Sequence, residues 1–139
     1  MQELNLVRRE NEGFHIYTST SLSKYFFLKY FSDPSRILTL LFDIKDLRKV
    51  SEGKWVLNSE YEVLRILNIN SIEYTIYKKD KMLCKVKFMI NTSNSGTLLE
   101  FVYEDYTRLK WFRTRKFYKK FNELLRLLNT IKDMKCTLP

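Results

Sequence analysis

The chain has 139 residues, of which 45% are hydrophobic and 15% aromatic, and it carries a formal net charge of +9. We expect one domain over residues 1–139, because this length leaves no room for a catalytic domain beside a partner domain. The hydrophobic content excludes a disordered chain. Alanine is absent, which indicates a core built from bulky side chains that either interlock or leave space between them.

The positive charge is spread along the chain. Lysine and arginine occur throughout, and only the last thirty residues concentrate them. A solvated basic surface explains this pattern better than a nucleic-acid interface does. We therefore predict no specific nucleic-acid partner.

Targeting signals and cysteine frameworks are not evident. No run of eighteen apolar residues occurs and the first thirteen residues lack a signal-peptide core, so we predict a cytoplasmic protein without a transmembrane segment. Cys84 and Cys136 are too few for a disulfide framework and match no zinc spacing. We expect reduced thiols, with a bridge from Cys136 to the sheet as the alternative.

The first part of the chain predicts a strand and two short helices. Residues 14–20 alternate and are β-branched, which favours a strand, and a short leading strand near residues 4–7 is the weaker signal. His15 points away from Phe14 and Ile16 on the pleat. Because it is the only histidine, we predict no His-based metal site, no Ser-His-Asp triad and no cofactor.

Two capping signals begin the helices. Ser21 is the expected N-cap of a helix whose broad apolar face includes Phe27 and Phe31. Asp33 followed by Pro34 predicts a second helix over residues 34–42, bent away from the first.

Residues 44–106 predict an antiparallel meander, because successive strand patterns are joined by short turn-rich links without a helix between them. The alternation assigns one apolar face and one wet face. The predicted inner face carries Ile72, Tyr74, Ile76, Met82, Cys84, Val86, Phe88, Ile90, Leu99, Phe101 and Tyr103.

The strand pattern that starts at Trp55 leaves two alternatives. An inner face through Trp55, Tyr61 and Val63 places Arg65 inside as well, where it would need an anion. A bulge near Glu62 would instead bring Leu64 and Ile66 inward.

Residues 107–136 predict one long amphipathic helix without glycine or proline. Its apolar stripe runs through Phe117, Phe121, Leu124, Leu128 and Ile131, and includes Tyr118 and Leu125. Toward the N-terminus the same face becomes cationic through Lys110 and Arg113, beside Thr114. An anionic head next to an apolar tail would match this face, although fraying or snorkelling of the cations is the alternative.

The chain resembles the helix-grip superfamily, which includes START domains, the birch-pollen-allergen family and polyketide cyclase-like proteins. Residues 19–42, where a strand ending in TSTS passes into SKYFFLKYFSDPSRILTLLF, and the helix at 111–131 carry the resemblance. It implies an α+β fold: a curved antiparallel sheet of six or seven strands, two short helices after the first strand, and a long C-terminal helix across the sheet. A small thermophile fatty-acid carrier is similar in size and lacks catalytic residues.

The resemblance implies a hydrophobic cavity between the sheet and the last helix, where relatives hold lipids, sterols, hormones or polyketides. With the helix face, it leads us to expect a non-enzymatic carrier of a hydrophobic anion, such as a long-chain fatty acid. Arg113, Lys110 or Arg65 would hold the carboxylate, with Tyr74 or Tyr103 donating a hydrogen bond. The predicted lining is Phe27, Phe31, Leu41, Trp55, Arg65, Tyr74, Ile76, Val86, Phe88, Phe101, Tyr103, Lys110, Arg113, Thr114, Phe117, Phe121, Leu124 and Leu128.

Two other functions compete with the carrier. A cyclase-like or hydratase-like enzyme needs an acid and a base inside, whereas Glu60, Glu62, Glu73 and Glu100 fall on the wet face. A nucleic-acid module would use Trp111 and Phe112 beside the basic residues of the last helix. For those two aromatic residues we favour a homodimer contact.

Overall fold

The computed structural model describes residues 5–8, 13–94, 96–106 and 110–137, with side chains for 13–94, 96–106 and 114–128. The strands are β1 (Asn5–Arg8), β2 (Phe14–Thr20), β3 (Leu47–Ser51), β4 (Lys54–Leu57), β5 (Tyr61–Leu67), β6 (Ser71–Lys78), β7 (Lys81–Ser93) and β8 (Gly96–Asp105). The helices are α1 (Lys24–Ser32), α2 (Pro34–Leu41) and α3 (Lys110–Thr137). None of the described helices has the length and apolar character needed to cross a membrane.

All strands form one antiparallel sheet in the order β1-β2-β8-β7-β6-β5-β4-β3. Both short helices follow β2, and the meander from β3 returns strand by strand until β8 pairs with β2. The prediction of an α+β helix-grip fold is therefore confirmed. The sheet has one strand more than the upper expectation of seven, because a tight turn divides the pattern that starts at Trp55. Asn58 and Ser59 have φ of 52° and 56° in that turn.

The two short helices begin at capping residues. Asp33 caps α2 as predicted, since its Oδ1 accepts from the Ser35 backbone N–H at 3.0 Å and Pro34 follows it. The cap of α1 was predicted wrongly. Ser23, not Ser21, accepts from the Phe26 N–H, because the Thr20 hydroxyl holds the Leu22 N–H and delays the first turn.

The core lies between the helices and one face of the sheet. The predicted inner residues of β6, β7 and β8 are buried, with Met82 as the exception. The ladder pairs Ile76 with Cys84 but then Tyr77 with Met82, so a bulge turns Met82 away from the inner face. On α3 the buried side chains are Thr114, Phe117, Phe121, Leu125 and Leu128, which confirms the predicted stripe within the described side chains.

Tyr74 ties the end of α1 to the centre of the sheet. Its hydroxyl donates to the Phe31 carbonyl at 2.5 Å, one of the helix-end carbonyls that have no partner within the helix. Burial raises the pKa of the Tyr74 phenol well above its usual range, so the group stays a neutral donor. The hydrogen bond therefore has a structural role.

We expect Tyr74→Phe to lower the free energy of unfolding by about 1–2 kcal/mol, because it leaves the buried Phe31 carbonyl without this donor. Urea unfolding measures the loss. Tyr25→Phe is the matched control, since the Tyr25 side chain is exposed on the same helix. Equal midpoints for the two variants would contradict a structural role for the hydrogen bond.

Candidate ligand-binding site

The inner face gathers most of the predicted site residues. Thirteen of them are buried together: Phe27, Phe31, Trp55, Tyr74, Ile76, Val86, Phe88, Phe101, Tyr103, Thr114, Phe117, Phe121 and Leu128. Leu41, Arg65 and Leu124 are half-buried. The side chains of Lys110 and Arg113 lie outside the described residues, so the cationic end of the helix face stays a prediction.

Aromatic rings occupy the space beneath the middle of α3. The ring centroids of Phe101 and Phe121 are 3.8 Å apart in a stacked pair, and those of Phe31 and Phe88 are 4.1 Å apart. Phe117 packs on Tyr103 at 4.6 Å. These bulky side chains interlock at this point, so a ligand chain must lie elsewhere on the inner face or displace them. The predicted cavity stays a prediction.

Arg65 points to the inner face, as the first of the two alternatives for its strand requires. The β5–β6 register runs without a shift from Glu62 to Leu67, so no bulge turns the strand over. The Arg65 guanidinium carbon lies 4.9 Å from the centre of the Trp55 ring, and Nη1 donates to the Ser32 carbonyl at 2.6 Å. The arginine is thus held between the sheet and the end of α1.

The anion that an inward arginine needs is Glu52, in the turn between β3 and β4. Arg65 Nη2 donates to Glu52 Oε2 at 3.1 Å, and Lys49 Nζ donates to Oε1 at 3.1 Å. The hydrogen bond and charge of Lys49, followed by the charge of Arg65, lower the pKa of the Glu52 carboxyl. The carboxylate is therefore ionised at neutral pH and joins two cations.

Exposure differs sharply between the partners. The Glu52 side chain is 77% exposed, whereas that of Arg65 is 12% exposed. The Glu52 carboxylate is solvated, so its departure costs little if another anion takes its place beside the nearly buried Arg65. Lys49 and Arg65 together hold the carboxylate of Glu52.

The Arg65 guanidinium keeps unused hydrogen-bonding capacity. Its Nε is buried and has no hydrogen-bond partner among the described residues. In a guanidinium, the Nε–H and one Nη2 N–H point along the same edge, which can hold both oxygens of a carboxylate. The hydrogen bond to Glu52 uses only Nη2 on that edge.

Apolar side chains, some buried and some partly buried, lie along the same half of the sheet. Leu47, Leu57 and Tyr61 form one cross-strand row and Trp55 pairs with Val63 in the next, on the way to Arg65. Leu41, Phe42, Ile44, Leu47 and Tyr61 are partly buried and pack against the core. Arg65 lies four positions after Tyr61, about 13 Å along a strand. This apolar row is defined here by Leu47, Leu57, Tyr61, Trp55 and Val63.

One inward carboxyl was missed by the sequence analysis. Asp105 is 4% exposed and accepts a hydrogen bond from the Tyr103 hydroxyl at 2.5 Å. It continues the alternation of Leu99, Phe101 and Tyr103, which was the available signal. A buried carboxyl beside a phenol is a group that an acid-base enzyme could use.

The opposite face of the sheet holds the histidine and the other carboxylates. His15 Nε2 contacts Glu100 Oε2, and the His15 ring lies 4.6 Å from that of Tyr17. Glu62 pairs with Lys54 at 3.4 Å. Glu60 does not follow the predicted wet face: it lies in the β4–β5 turn and pairs at 2.5 Å with Lys78, whose Nζ is 5.6 Å from the centre of the inner Tyr61 ring. Within the described part of the chain, no group of three potential ligands could hold a metal ion.

The chain is similar to known proteins in its fold. No family model and no curated protein matches it. The crystal structure of Ms6760 from Mycobacterium smegmatis covers 98% of this chain and 98% of its own at 9% identity, with a TM-score of 0.55. DR_A0006 from Deinococcus radiodurans covers 83% and 96% at 8% identity, with a TM-score of 0.55. CalU16 from Micromonospora echinospora covers 91% and 90% at 17% identity, with a TM-score of 0.50. Identities this low indicate a shared fold alone.

Proposed function

We propose that the protein is a non-enzymatic carrier of a hydrophobic anion, a long-chain fatty acid or a similar acyl group. The observation that supports this most directly is the half-used edge of Arg65 beside Lys49. A ligand carboxylate that takes the place of Glu52 would pair with both Arg65 N–H groups and with Lys49. Because Glu52 extends from an exposed turn, it can move aside without unfolding the sheet.

The apolar row that begins beside Arg65 is the proposed path of the acyl chain. Trp55 and Val63 lie next to the head-group position, and Leu47, Leu57 and Tyr61 follow. The partly buried side chains over this row can open more readily than the stacked rings beneath α3. Leu57, Trp55 and Val63 are themselves buried. The acyl chain would therefore enter by displacing the partly buried side chains that cover them, including the Phe42 ring, which lies 4.8 Å from that of Tyr61.

Burial of the acyl chain would supply most of the affinity. A sixteen-carbon tail buried at about 0.8 kcal/mol per methylene gives roughly 12 kcal/mol before association costs of at least ~4 kcal/mol. Micromolar binding then requires only a modest contribution from the head group. Lys49 and Arg65 would chiefly orient the ligand and distinguish an acid from an alcohol.

The test is competition against a fluorescent fatty acid, with palmitic acid and hexadecanol as the two competitors. In Glu52→Gln we expect the affinity for the acid to rise by about three- to tenfold, because the internal competitor no longer pairs with the two cations. The affinity for the alcohol should stay unchanged.

The matched control is Glu62→Gln, which makes the same change of charge on the opposite face of the sheet, where Glu62 pairs with Lys54. Equal gains in both variants would mean that net charge, rather than the Lys49–Arg65 pair, attracts the acid. Failure of wild type to bind either palmitic acid or hexadecanol would overturn the proposed function.

An enzyme of the cyclase or hydratase type is the second candidate, favoured by the Tyr103–Asp105 hydrogen bond. Asp105→Asn removes the group that could transfer a proton. If the protein is only a carrier, adding this change to Glu52→Gln should leave the gain in affinity for palmitic acid unchanged. Conversion of an added polyketide or enoyl substrate by wild type, abolished in Asp105→Asn, would favour the enzyme instead.

A further inference from the structure

Exposed apolar side chains lie at the end of the molecule where the β5–β6 turn meets the start of α1. Ile69 is 84% exposed and Tyr25 is 82% exposed, the highest values among the large apolar side chains described. Leu67 is half exposed beside them at the end of β5. We call Tyr25, Leu67 and Ile69 the apolar tip.

Hydrogen bonds hold the tip in place on both sides. Lys24 Nζ donates to Asn70 Oδ1, which joins the first turn of α1 to the β5–β6 turn. The Asn70 carbonyl accepts from the Ile90 N–H at 2.7 Å, and Asn68 N–H donates to the Ser71 carbonyl at 2.9 Å. The tip is therefore a supported projection.

The charge around the tip is positive. Lys29 follows Tyr25 by four residues, which places it on the same side of α1 as Tyr25, and Lys24 precedes Tyr25 in the first turn. Residues 21–32 and 66–72 contain no aspartate or glutamate. A partner that matches this surface is anionic where it meets the two lysines and apolar where it meets the apolar tip.

We propose that the apolar tip docks on the surface of an anionic lipid bilayer. Ile69 and Leu67 enter the boundary between head groups and acyl chains, Tyr25 lies at head-group depth, and Lys24 and Lys29 face the lipid anions. A narrow projection can enter a fluid layer, whereas a protein partner is bound by a broader patch with a desolvated centre. This inference does not depend on the proposed function.

The experiment is co-sedimentation with vesicles of phosphatidylcholine alone, or with about a third of the lipid replaced by anionic phosphatidylglycerol. We expect wild type to sediment with the anionic vesicles and to remain in solution when only neutral vesicles are present. Ile69→Ser should weaken binding to anionic vesicles by roughly tenfold, since it removes one large inserted side chain. Tyr25→Ser should act in the same direction.

The matched control is Val50→Ser, an exposed apolar residue on the edge strand β3, which should bind like wild type. Equal binding by Ile69→Ser and wild type would show adsorption by charge alone and overturn the proposal. The absence of wild-type binding to anionic vesicles would also overturn it. If Ile69→Ser changes self-association but binds vesicles as wild type does, the apolar tip belongs to a protein contact instead.

Discussion

Replacing Phe121 with alanine is expected to lower the free energy of unfolding by about 3–5 kcal/mol, the cost of emptying a fully buried aromatic position. The Phe121 ring stacks on Phe101 at 3.8 Å and lies 6.1 Å from Phe88. Its removal thus opens a cavity where α3 meets β7 and β8. Urea unfolding at neutral pH measures the change as a shift of the midpoint.

The control for this substitution is Leu127→Ala on the same helix. Leu127 is exposed, so its truncation should alter stability by no more than ~0.5 kcal/mol. Similar losses in both variants would mean that burial against the sheet does not distinguish the two positions, because alanine is the better helix former at both. A small loss in Phe121→Ala would contradict the aromatic packing.

The parts of the fold that follow a fixed period could be predicted from the amino-acid sequence. The buried positions of β8 follow a period of two, and those of α3 follow steps of three and four, because one face of each element meets the core. Met82 departs from this alternation because the bulge after Ile76 is set by strand pairing. The β4–β5 division depends on positive φ at Asn58 and Ser59, which a strand pattern alone does not reveal.

The candidate site was only partly predictable. Parity along one strand offered Arg65 as an inward residue but left a bulge near Glu62 as the alternative, and only the strand register excludes that bulge. The convergence of Lys49, Glu52 and Arg65 could not be derived in the same way. It requires β3 and β4 to pair with a register shift between Lys49 and Ser51 and to present the turn to β5. Distances of this kind depend on tertiary structure, whereas the alternation is local.

The ring contacts show the same limit for the predicted cavity. A chain of bulky side chains without alanine permits either interlocking or empty space, and no local pattern decides between them. In the structure, Phe101 and Phe121 interlock under α3, while Leu41, Phe42 and Leu47 on the other half of the sheet remain partly buried. The acyl chain of the proposed ligand would enter beside Arg65, on a different side from the predicted centre of the cavity.

Replacing Arg65 with methionine is expected to affect stability and ligand binding through different contacts. Loss of the charged donor to the Ser32 carbonyl should lower the free energy of unfolding by roughly 2–3 kcal/mol. The affinity for palmitic acid should fall by about ten- to a hundredfold, since a charge-assisted pair is lost, while hexadecanol should bind nearly as before. Urea unfolding and the competition assay measure the two effects on the same preparation.

Two further variants separate the charge of Arg65 from its shape. Arg65→Lys keeps the charge but lacks the Nε–Nη2 edge that can hold both oxygens of a carboxylate. Its affinity for palmitic acid should therefore lie between those of Arg65→Met and wild type. Arg48→Met removes an exposed arginine that pairs with Asp46 at 3.2 Å, and it should change neither stability nor acid binding appreciably. If Arg65→Met and Arg48→Met weaken palmitic acid equally, the head group lies elsewhere and Arg113 becomes the next position to test. If Arg65→Met weakens acid and alcohol alike, its effect arises from a displaced α1 rather than from a lost carboxylate contact.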